Sequence, residues 1–493
     1  MTVRTRIAPS PTGDPHLGTA YIALFNMVFA HSMGGEFIVR IEDTDRARST
    51  PESEAAILAA LRWLGIDWAE GPETGGEFGP YRQSERQHIY AEHAQRLVDQ
   101  KDAFHCFCTS ERLNTMRADQ RAAGQTSRYD GHCLKLSEAE VAERLKAGEE
   151  HVVRLVVPEE GVFCFVDALR GSIEVPWSQV DMQVLLKSDG MPTYHLAVVV
   201  DDHLMQISHV LRGEEWINSV PKHARLYEAF DWDMPVHAHL PLLRNPDSSK
   251  LSKRKNPTSV NYYRDMGYLP QAVTNYLGRM GFSLPDEREV FSIEDMTKAF
   301  SLDRISLGGP IFDIEKLNWL NGQYLRELSE DDFADAVLGW LSRDNRLRRI
   351  LPLIHERTER FADVASKIDY LVGDRRELTE EDFVLKRVSS DQSRQILDHC
   401  LRSFDELRQW EADELFATCE TLAAGMELKV RDFLAPLFVA IGGKAVTLPL
   451  FDSMALLGAD VTRMRLRSAL ASLGGVSKKE TKRFEKSWQQ MKG

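Results

Sequence analysis

The N-terminal part of the chain alternates between segments with the pattern of a strand and segments with the pattern of a helix. Val3–Ala8 alternates apolar and polar side chains, as a short strand does. Gly18–Met33 is apolar on almost every side, which indicates a buried helix. Phe37–Glu42 has the pattern of a second strand, and Thr50–Pro51 begins another helix with a capping hydroxyl and a proline. This order predicts a parallel α/β sheet.

The rest of the chain departs from this alternation twice. From about residue 106 to residue 177, a cysteine pair, a polar helical stretch and short strands predict an insertion. Apolar segments typical of an α/β fold return at Met182–Leu186 and Ala197–Val200. From Pro257 to the end, Leu-rich amphipathic segments predict a mostly helical region.

Composition narrows the class of protein. The chain has 493 residues, 43% of them hydrophobic, so we expect about two to four domains. Its apolar runs fall far short of the ~20 residues of a membrane span, and no apolar signal segment opens it, so we expect a cytoplasmic protein with no membrane partner.

The net charge is −14, yet nine Lys and Arg follow Val461 against two Glu. This basic end hints at a polyanionic partner, although a solvated helix face is the simpler interpretation.

The stretch APSPTGDPHLGTA follows the first predicted strand. In open α/β sheets, ligands bind beyond the carboxyl ends of the strands, and a helix N-terminus there attracts anions. His16 can donate to a phosphate oxygen, and Gly18 lets a ligand approach the backbone. A histidine that only caps the helix explains this stretch equally well.

A second stretch, NPDSSKLSKRKNP, crowds cations into a predicted loop between two prolines. Lys250 and Lys253 are suited to clamp a triphosphate and to neutralise a leaving pyrophosphate. A solvated basic loop is the alternative for this stretch taken alone.

Together the two stretches are similar to the paired ATP signatures of class I aminoacyl-tRNA synthetases. Further stretches resemble bacterial glutamyl-tRNA synthetases: RIAPSPTGDPHLGTAYIALFN, FIVRIEDTDR, LLKSDGMPTYHLA, LRGEEW and SLGGPIFDIEKLNWLNG. The resemblance is close from residue 1 to about residue 330 and looser beyond.

The resemblance implies an α/β catalytic domain with a Rossmann-like, doubly wound parallel sheet, an inserted acceptor-end-binding domain, and all-α anticodon-binding domains. The implied limits are 1–105 and 181–250 for the catalytic halves, 106–180 for the insertion, 251–330 for a stem-contact domain with the KLSKR loop, and 331–493 for the helical region. The implied activity is ligation of L-glutamate to the 3′ end of tRNA-Glu, through a glutamyl-adenylate made from ATP with Mg²⁺.

The resemblance also implies two sets of site residues. The ATP set is His16, Gly18, Glu215, Lys250 and Lys253, of which His16, Lys250 and Lys253 are expected to be catalytic. The glutamate set is Arg6, Ser10, Glu42, Tyr194, Arg212 and Trp216. A carboxylate side chain requires a cation, and Arg6 and Arg212 suit it because arginine binds carboxylates through two N–H groups; Glu42 would hold the ammonium. Without the resemblance, the arginines would be interpreted as structural ion pairs, and Tyr194 and Trp216 as core residues.

Two positions depart from the family pattern. Val198 stands where the family often has Asn, and Phe438 stands where it commonly has Arg. The first change removes a polar group expected near the amino-acid pocket, and the second removes a cation from the helical half. In that half, Arg357 aligns approximately with an arginine that reads the anticodon in some relatives.

Cys106, Cys108 and Cys133 match three positions of a zinc site found in some relatives. The fourth position is Lys135, which is unsuited to zinc, and structural zinc takes four ligands. His105 or His132 could substitute, but we favour thiols without metal and expect no metal in the active site.

The expected partners are tRNA-Glu and L-glutamate, and tRNA-Gln stays open. We expect a monomer in which tRNA binds before glutamate is activated. Four alternatives remain: a shortened paralogue that glutamylates a tRNA base, a glutaminyl enzyme, an inactive RNA-binding protein, and an adenylate-forming metabolite ligase. The helical half, the SPTG opening and the intact His16 and Lys250 motifs argue against them.

Overall fold

The computed structural model describes residues 2–252, 256–343, 346–373, 377–407, 409–443 and 448–492. Lys253, one of the predicted catalytic residues, lies outside these ranges. The chain forms two compact units. The first consists of Met1–Leu251 and Leu269–Gln323, and the second of Ser252–Tyr268 and Tyr324–Gly493.

All strands of the described residues belong to the first unit: β1 (Arg4–Ile7), β2 (Glu36–Val39), β3 (Ala103–Cys106), β4 (Val152–Leu155), β5 (Val162–Asp167), β6 (Gly171–Pro176), β7 (Val184–Leu186), β8 (His209–Gly213) and β9 (Val236–Leu240). The helices are α1 (Leu17–Ser32), α2 (Pro51–Trp63), α3 (Gln87–Asp99), α4 (Ser110–Ala122), α5 (Glu138–Lys146), α6 (Tyr194–Leu204), α7 (Val220–Phe230), α8 (Val260–Asp265), α9 (Pro270–Arg279), α10 (Ile293–Ala299), α11 (Ile314–Glu327), α12 (Glu330–Ser342), α13 (Arg346–Ile354), α14 (Val364–Val372), α15 (Ser390–Phe404), α16 (Ala412–Gly425), α17 (Val430–Gly442), α18 (Leu450–Ser472) and α19 (Lys478–Lys492). No helix in this described part of the chain is long and apolar enough to cross a membrane.

The predicted parallel sheet is confirmed. β1 pairs in parallel with β2, with Arg4 opposite Glu36, and β8 pairs in parallel with β9, with His209 opposite Val236. β1 and β8 lie side by side, and the amide of Ser208 donates to the carbonyl of Arg4 at 3.0 Å. The four strands therefore form the centre of the fold, and helix α1, almost wholly apolar, packs on β1. This is the arrangement of a doubly wound α/β protein.

The predicted insertion lies in the sequence between the two halves of this sheet. Its strand β4 is the middle strand of an antiparallel sheet in the order β3–β4–β7, and its strands β5 and β6 form a hairpin. β3 spans the expected limit between residues 105 and 106, so the antiparallel sheet takes residues from both sides of it. Of the two apolar segments after the insertion, Val184–Leu186 is a strand. The second, Ala197–Val200, lies inside helix α6 and is completely buried.

The second unit is helical, as predicted, and α15, α17 and α18 form its centre. Two arginines of the basic end are buried there. Arg463 donates to the carbonyl of Phe404 at 2.7 Å, and Arg465 donates to the carbonyl of Ile441 at 2.8 Å. These two cations hold helices together, so the interpretation of the whole basic end as a solvated face is wrong for them.

Candidate active site

A cleft of about 500 Å³ opens where β1 and β8 end. Ten of the eleven residues predicted for ATP and glutamate lie within the described ranges, and all ten line this cleft: Arg6, Ser10, His16, Gly18, Glu42, Tyr194, Arg212, Glu215, Trp216 and Lys250. The structure therefore brings together side chains that are up to 244 positions apart in the sequence, from Arg6 to Lys250. The carboxyl ends of parallel strands are where ligands bind in such sheets.

His16 occupies the N-cap of helix α1. Its Nδ1 accepts a hydrogen bond from the amide of Gly18 at 2.9 Å. A neutral ring that accepts at Nδ1 carries its proton on Nε2, which remains available as a donor. Burial, with help from the nearby charge of Lys250, lowers the pKa of His16 and favours this neutral form. The two interpretations of His16, cap and phosphate donor, are thus compatible.

Two glycines, Gly18 and Gly213, make room for polar side chains that line the cleft. A Cβ on Gly18 would lie 3.1 Å from the His16 ring, which is tighter than ordinary contact. A Cβ on Gly213 would overlap the carboxylate of Glu215, which folds back over the backbone at the end of β8. That carboxylate pairs with the Nζ of Lys250 at 3.3 Å. Small residues therefore let the polar side chains lie against the main chain.

The segment that carries Lys250 is a tight turn. The amide of Leu251 donates to the carbonyl of Leu243 at 2.8 Å, and the buried Asn245 side chain donates to the carbonyl of Lys250 at 2.9 Å. Lys250 itself is more than half exposed at the mouth of the cleft. The turn therefore holds the backbone of Lys250 while its ammonium stays accessible.

Arg6 is already neutralised by a carboxylate of the protein. Its Nε and Nη2 donate to the two oxygens of Asp202 at 3.0 and 3.1 Å, and Arg40 donates to the same carboxylate at 2.8 Å. Burial alone would raise the pKa of Asp202, but the two guanidinium groups hold it below its usual value. The structural ion pair that the sequence left open for Arg6 is therefore present.

Arg212 has a different environment. It is only 6% exposed, and its guanidinium donates to Nε2 of His239 at 3.0 Å, to the hydroxyl of Tyr194 at 3.1 Å and to the carbonyl of Trp216 at 3.3 Å. Nη1 also lies 3.4 Å from Nδ1 of His223, and all four partners are neutral. Across the described residues, no carboxylate lies within 4.0 Å of this guanidinium. A buried cation without a counterion has a strong preference for an anionic ligand.

Glu42 is the acidic side chain of the cleft that would pair with a cationic group of the ligand. Its Oε1 is buried, lies 3.5 Å from Nη2 of Arg40, and accepts no hydrogen bond from the residues that are described. Burial raises the pKa of Glu42 to about 7, against the opposing pull of Arg40 and Arg6. The rings of Tyr194 and Trp216, 4.5 Å apart between centroids, form a wall of the same cleft. The cleft can thus accept a ligand with both a carboxylate and a cationic group.

Sequence reasoning missed the residues that support this site. The supporting residues are Asp202, Arg40, His239 and Asp167. Only the two acids of DDHLM carry a signal in the sequence: they directly follow an apolar run, and acids in a buried segment need partners that neutralise them. Val198 is 2% exposed and packs in the core behind Tyr194; it does not line the cleft. The expected loss of a polar group therefore affects the support of the cleft instead of its lining.

The three predicted cysteines come together in the insertion. Their sulfurs lie within 4.8 Å of one another, and those of Cys108 and Cys133 are 3.5 Å apart. The hydroxyl of Tyr129 lies 3.4 Å from Sγ of Cys106 and 3.3 Å from Sγ of Cys108. No local sequence signal marks Tyr129, because its proximity to the thiols depends on the fold.

In the second unit, Arg357 is exposed next to a shallow groove. The groove measures about 690 Å³ and also includes Arg348 and His355. Phe438 is half-buried in helix α17, where a longer polar side chain would need a path to solvent.

The chain belongs to the class I tRNA synthetases. The family described as "tRNA synthetases class I (E and Q), catalytic domain" matches residues 2–319, and an anticodon binding domain matches residues 332–470. The two matches agree with an α/β region followed by helices.

Relatives of this chain carry a more specific name. It is 57% identical over 487 residues to the glutamate–tRNA ligase of Marinomonas sp. (strain MWYL1), covering 99% of each chain. It is also 57% identical to the glutamate–tRNA ligase of Pseudomonas entomophila (strain L48), covering 98% of each. Among solved structures, it is similar to a glutamate–tRNA ligase from Elizabethkingia meningosepticum in complex with its amino acid, with a TM-score of 0.66 and 33% identity over 96% of this chain and 100% of that one.

The different surroundings of the two arginines predict different costs of removing them. Arg6→Met leaves the buried carboxylate of Asp202 with one partner fewer, and we expect it to lower the free energy of unfolding by about 3 kcal/mol. Arg212→Met leaves only neutral acceptors and should cost about 1 kcal/mol. Urea unfolding of the ligand-free proteins measures both. Equal losses, or a larger loss for Arg212→Met, would contradict this description of the site.

Proposed function

We propose that the chain is a glutamate–tRNA ligase, which makes glutamyl-adenylate from L-glutamate and ATP and transfers the glutamate to the 3′ end of tRNA-Glu. The observation that carries this proposal is the buried Arg212 with its neutral partners, next to a helix N-terminus that suits phosphate. The names of the relatives support the same activity.

In this proposal the glutamate side chain pairs with Arg212 and its ammonium with Glu42. Arg6, Ser10, Tyr194 and Trp216 line the same cleft and complete the pocket. A carboxylate that fills the space beside Arg212 supplies the missing counterion, whereas a neutral amide of the same shape does not. The ligand is therefore selected by charge.

The nucleotide would lie along the other side of the cleft. Nε2–H of His16 and the backbone at Gly18 are suited to phosphate oxygens, and Lys250, Lys253 and Glu215 would act near the triphosphate. The α-carboxylate of glutamate attacks the α-phosphate in line, and the bond between that phosphate and pyrophosphate breaks. This step needs no protein nucleophile, because positioning and charge stabilisation supply the rate. Mg²⁺ bound together with ATP would neutralise part of the phosphate charge.

The tRNA contacts form the next part of the proposal. We assign acceptor-end binding to residues 106–180, stem contact to 251–330 and anticodon binding to 331–493, supported by the match to an anticodon binding domain. Arg357 would contact the anticodon. We further propose that the protein is a monomer, that it acts in the cytoplasm and that it must bind tRNA before it activates glutamate. The charging experiment described below decides whether tRNA-Gln is also a substrate.

We also propose that Cys106, Cys108, Cys133 and Tyr129 form a zinc site. Lys135 stands at the position of the fourth ligand and cannot bind zinc, but the Tyr129 hydroxyl offers a fourth ligand atom. Zinc lies about 2.3 Å from sulfur and about 2.0 Å from oxygen, so a tetrahedron has sulfur–oxygen edges of about 3.5 Å. The hydroxyl lies 3.4 and 3.3 Å from two of the sulfurs. A metal there would brace the insertion against β3 and take no part in the reaction.

Charging of tRNA tests the proposed function. Labelled glutamate should be attached to tRNA-Glu in the presence of ATP, and pyrophosphate exchange should appear only after that tRNA is added. Attachment to tRNA-Gln as well would identify a non-discriminating enzyme. Absence of charging with every tRNA would refute the ligase proposal and favour an inactive RNA-binding protein.

The raised pKa of Glu42 predicts a pH dependence. Glu42 binds an ammonium only when ionised, and its pKa is about 7, so the ionised fraction falls as the pH falls below 7. We expect kcat/KM for glutamate to fall about tenfold per pH unit below that value, while KM for ATP stays constant. Glu42→Gln should be weak and independent of pH between 5.5 and 8. An unchanged slope in Glu42→Gln would assign the titration to another group.

Zinc content tests the assignment of Tyr129. We expect the wild type, purified without chelator, to hold about one equivalent of zinc, and Tyr129→Phe to lose it to a chelator at least tenfold faster. The exposed Lys135→Ala serves as the control and should behave like the wild type. Less than a tenth of an equivalent in the wild type, or equal retention in Tyr129→Phe, would contradict the site.

A further inference from the structure

The hairpin of the insertion reaches strand β9 of the parallel sheet. Strand β5 ends at Asp167, and the amide of the next residue, Ala168, donates to the carbonyl of His237 in β9 at 2.8 Å. Oδ1 of Asp167 accepts from the amides of Leu169 and Arg170, both at 3.0 Å, and so closes the turn of its own hairpin. The turn therefore stands at a fixed place against β9.

The second oxygen of Asp167 has a different partner. Oδ2 lies 2.5 Å from Nδ1 of His239, a buried residue of β9, and Asp167 itself is 1% exposed. On the other side of the ring, Nε2 of His239 lies 3.0 Å from Nε of Arg212. Three side chains thus form a continuous chain from the hairpin to the cleft.

The direction of these hydrogen bonds follows from the donors. Nε of Arg212 can only donate, so Nε2 of His239 must accept and the ring carries its proton on Nδ1. Nδ1–H then donates to the carboxylate of Asp167. Burial lowers the pKa of His239, which keeps the ring neutral in this position. Asp167 therefore selects the one tautomer that can accept from Arg212.

The chain has two consequences for Arg212. It fixes the rotation of the guanidinium, because Nε is bonded on one side while the two terminal nitrogens hold Tyr194 and Trp216. It also places a negative charge behind the cation but separated from it by a neutral ring, so the charge of Arg212 is partly balanced and not cancelled. A direct carboxylate, like Asp202 on Arg6, would compete with an anionic ligand.

We propose that Asp167 and His239 are positioning residues, which orient Arg212 and preserve its charge for the carboxylate of the amino-acid substrate. This assignment rests on the proposed function. It connects the insertion to amino-acid selection, since Asp167 belongs to the hairpin and Arg212 to the parallel sheet. Neither residue touches the substrate.

Asp167→Asn is the sharpest test. The amide oxygen can still close the hairpin turn, but the NH₂ group faces Nδ1 of His239 and forces the proton to Nε2, where it opposes the N–H of Arg212. We expect KM for glutamate to rise roughly ten- to hundredfold, with KM for ATP unchanged. Nitrogen NMR of histidine-labelled protein should report the change of tautomer at His239. Asp286→Asn, an exposed aspartate whose Oδ1 also caps a turn, is the matched control and should leave both unchanged.

A second pair of variants serves if Asp167→Asn fails to fold. The amide oxygen of His239→Gln can reach the position of Nε2 and accept from Arg212, whereas His239→Asn reaches only the position of Nδ1. We expect His239→Gln to have a lower KM for glutamate than His239→Asn, because only Gln keeps an acceptor for Nε of Arg212.

Several outcomes would overturn the proposal. These are an unchanged KM for glutamate in folded Asp167→Asn, equal increases in KM for both substrates, or equal affinities for His239→Gln and His239→Asn. A wild type that does not activate glutamate at all would instead refute the proposed function. The two failures are therefore distinguishable.

Discussion

A buried guanidinium without a counterion is the interaction on which the rest of the site depends. Arg212 is surrounded by an imidazole, a phenol and a carbonyl, while Arg6, on the neighbouring strand, is neutralised by Asp202. The protein thus carries two arginines in one cleft with different electrostatic roles. Arg6 holds the sheet and α6 together, and Arg212, which is largely buried, keeps a positive charge that no carboxylate of the described residues cancels.

The fold explains how this cation is tolerated. β1, β2 and β8 lie in one parallel arrangement, so their carboxyl ends bring the His16 loop, Glu42 and Arg212, respectively, to one edge of the sheet. The insertion adds the carboxylate of Asp167 behind His239, close enough to balance the charge of Arg212 through a neutral ring. The cleft is therefore the product of both halves of the sheet and of the segment that separates them.

Much of the fold and of the lining of the cleft can be predicted from the sequence. The strand–helix alternation marks the parallel sheet, and the His16 and Lys250 stretches carry local signals because their chemistry resides in a few adjacent residues. The partners of these side chains carry no such signal. Asp202 contacts Arg6, and Tyr129 contacts the thiols, only after distant segments pack together. In the sequence, the buried Arg463 and Arg465 cannot be distinguished from solvated arginines. The role of a charged residue is thus decided by its neighbours in space.

If the charge of Arg212 selects the ligand, glutamate and glutamine must differ strongly as substrates, and comparing them is the most direct measurement. These amino acids have nearly the same shape and differ in the charge of the side chain. Pyrophosphate exchange in the presence of tRNA-Glu gives kcat/KM for each. We predict a preference for glutamate of roughly a thousandfold or more, because glutamine leaves the buried cation without a counterion. Similar values for the two amino acids would contradict the account.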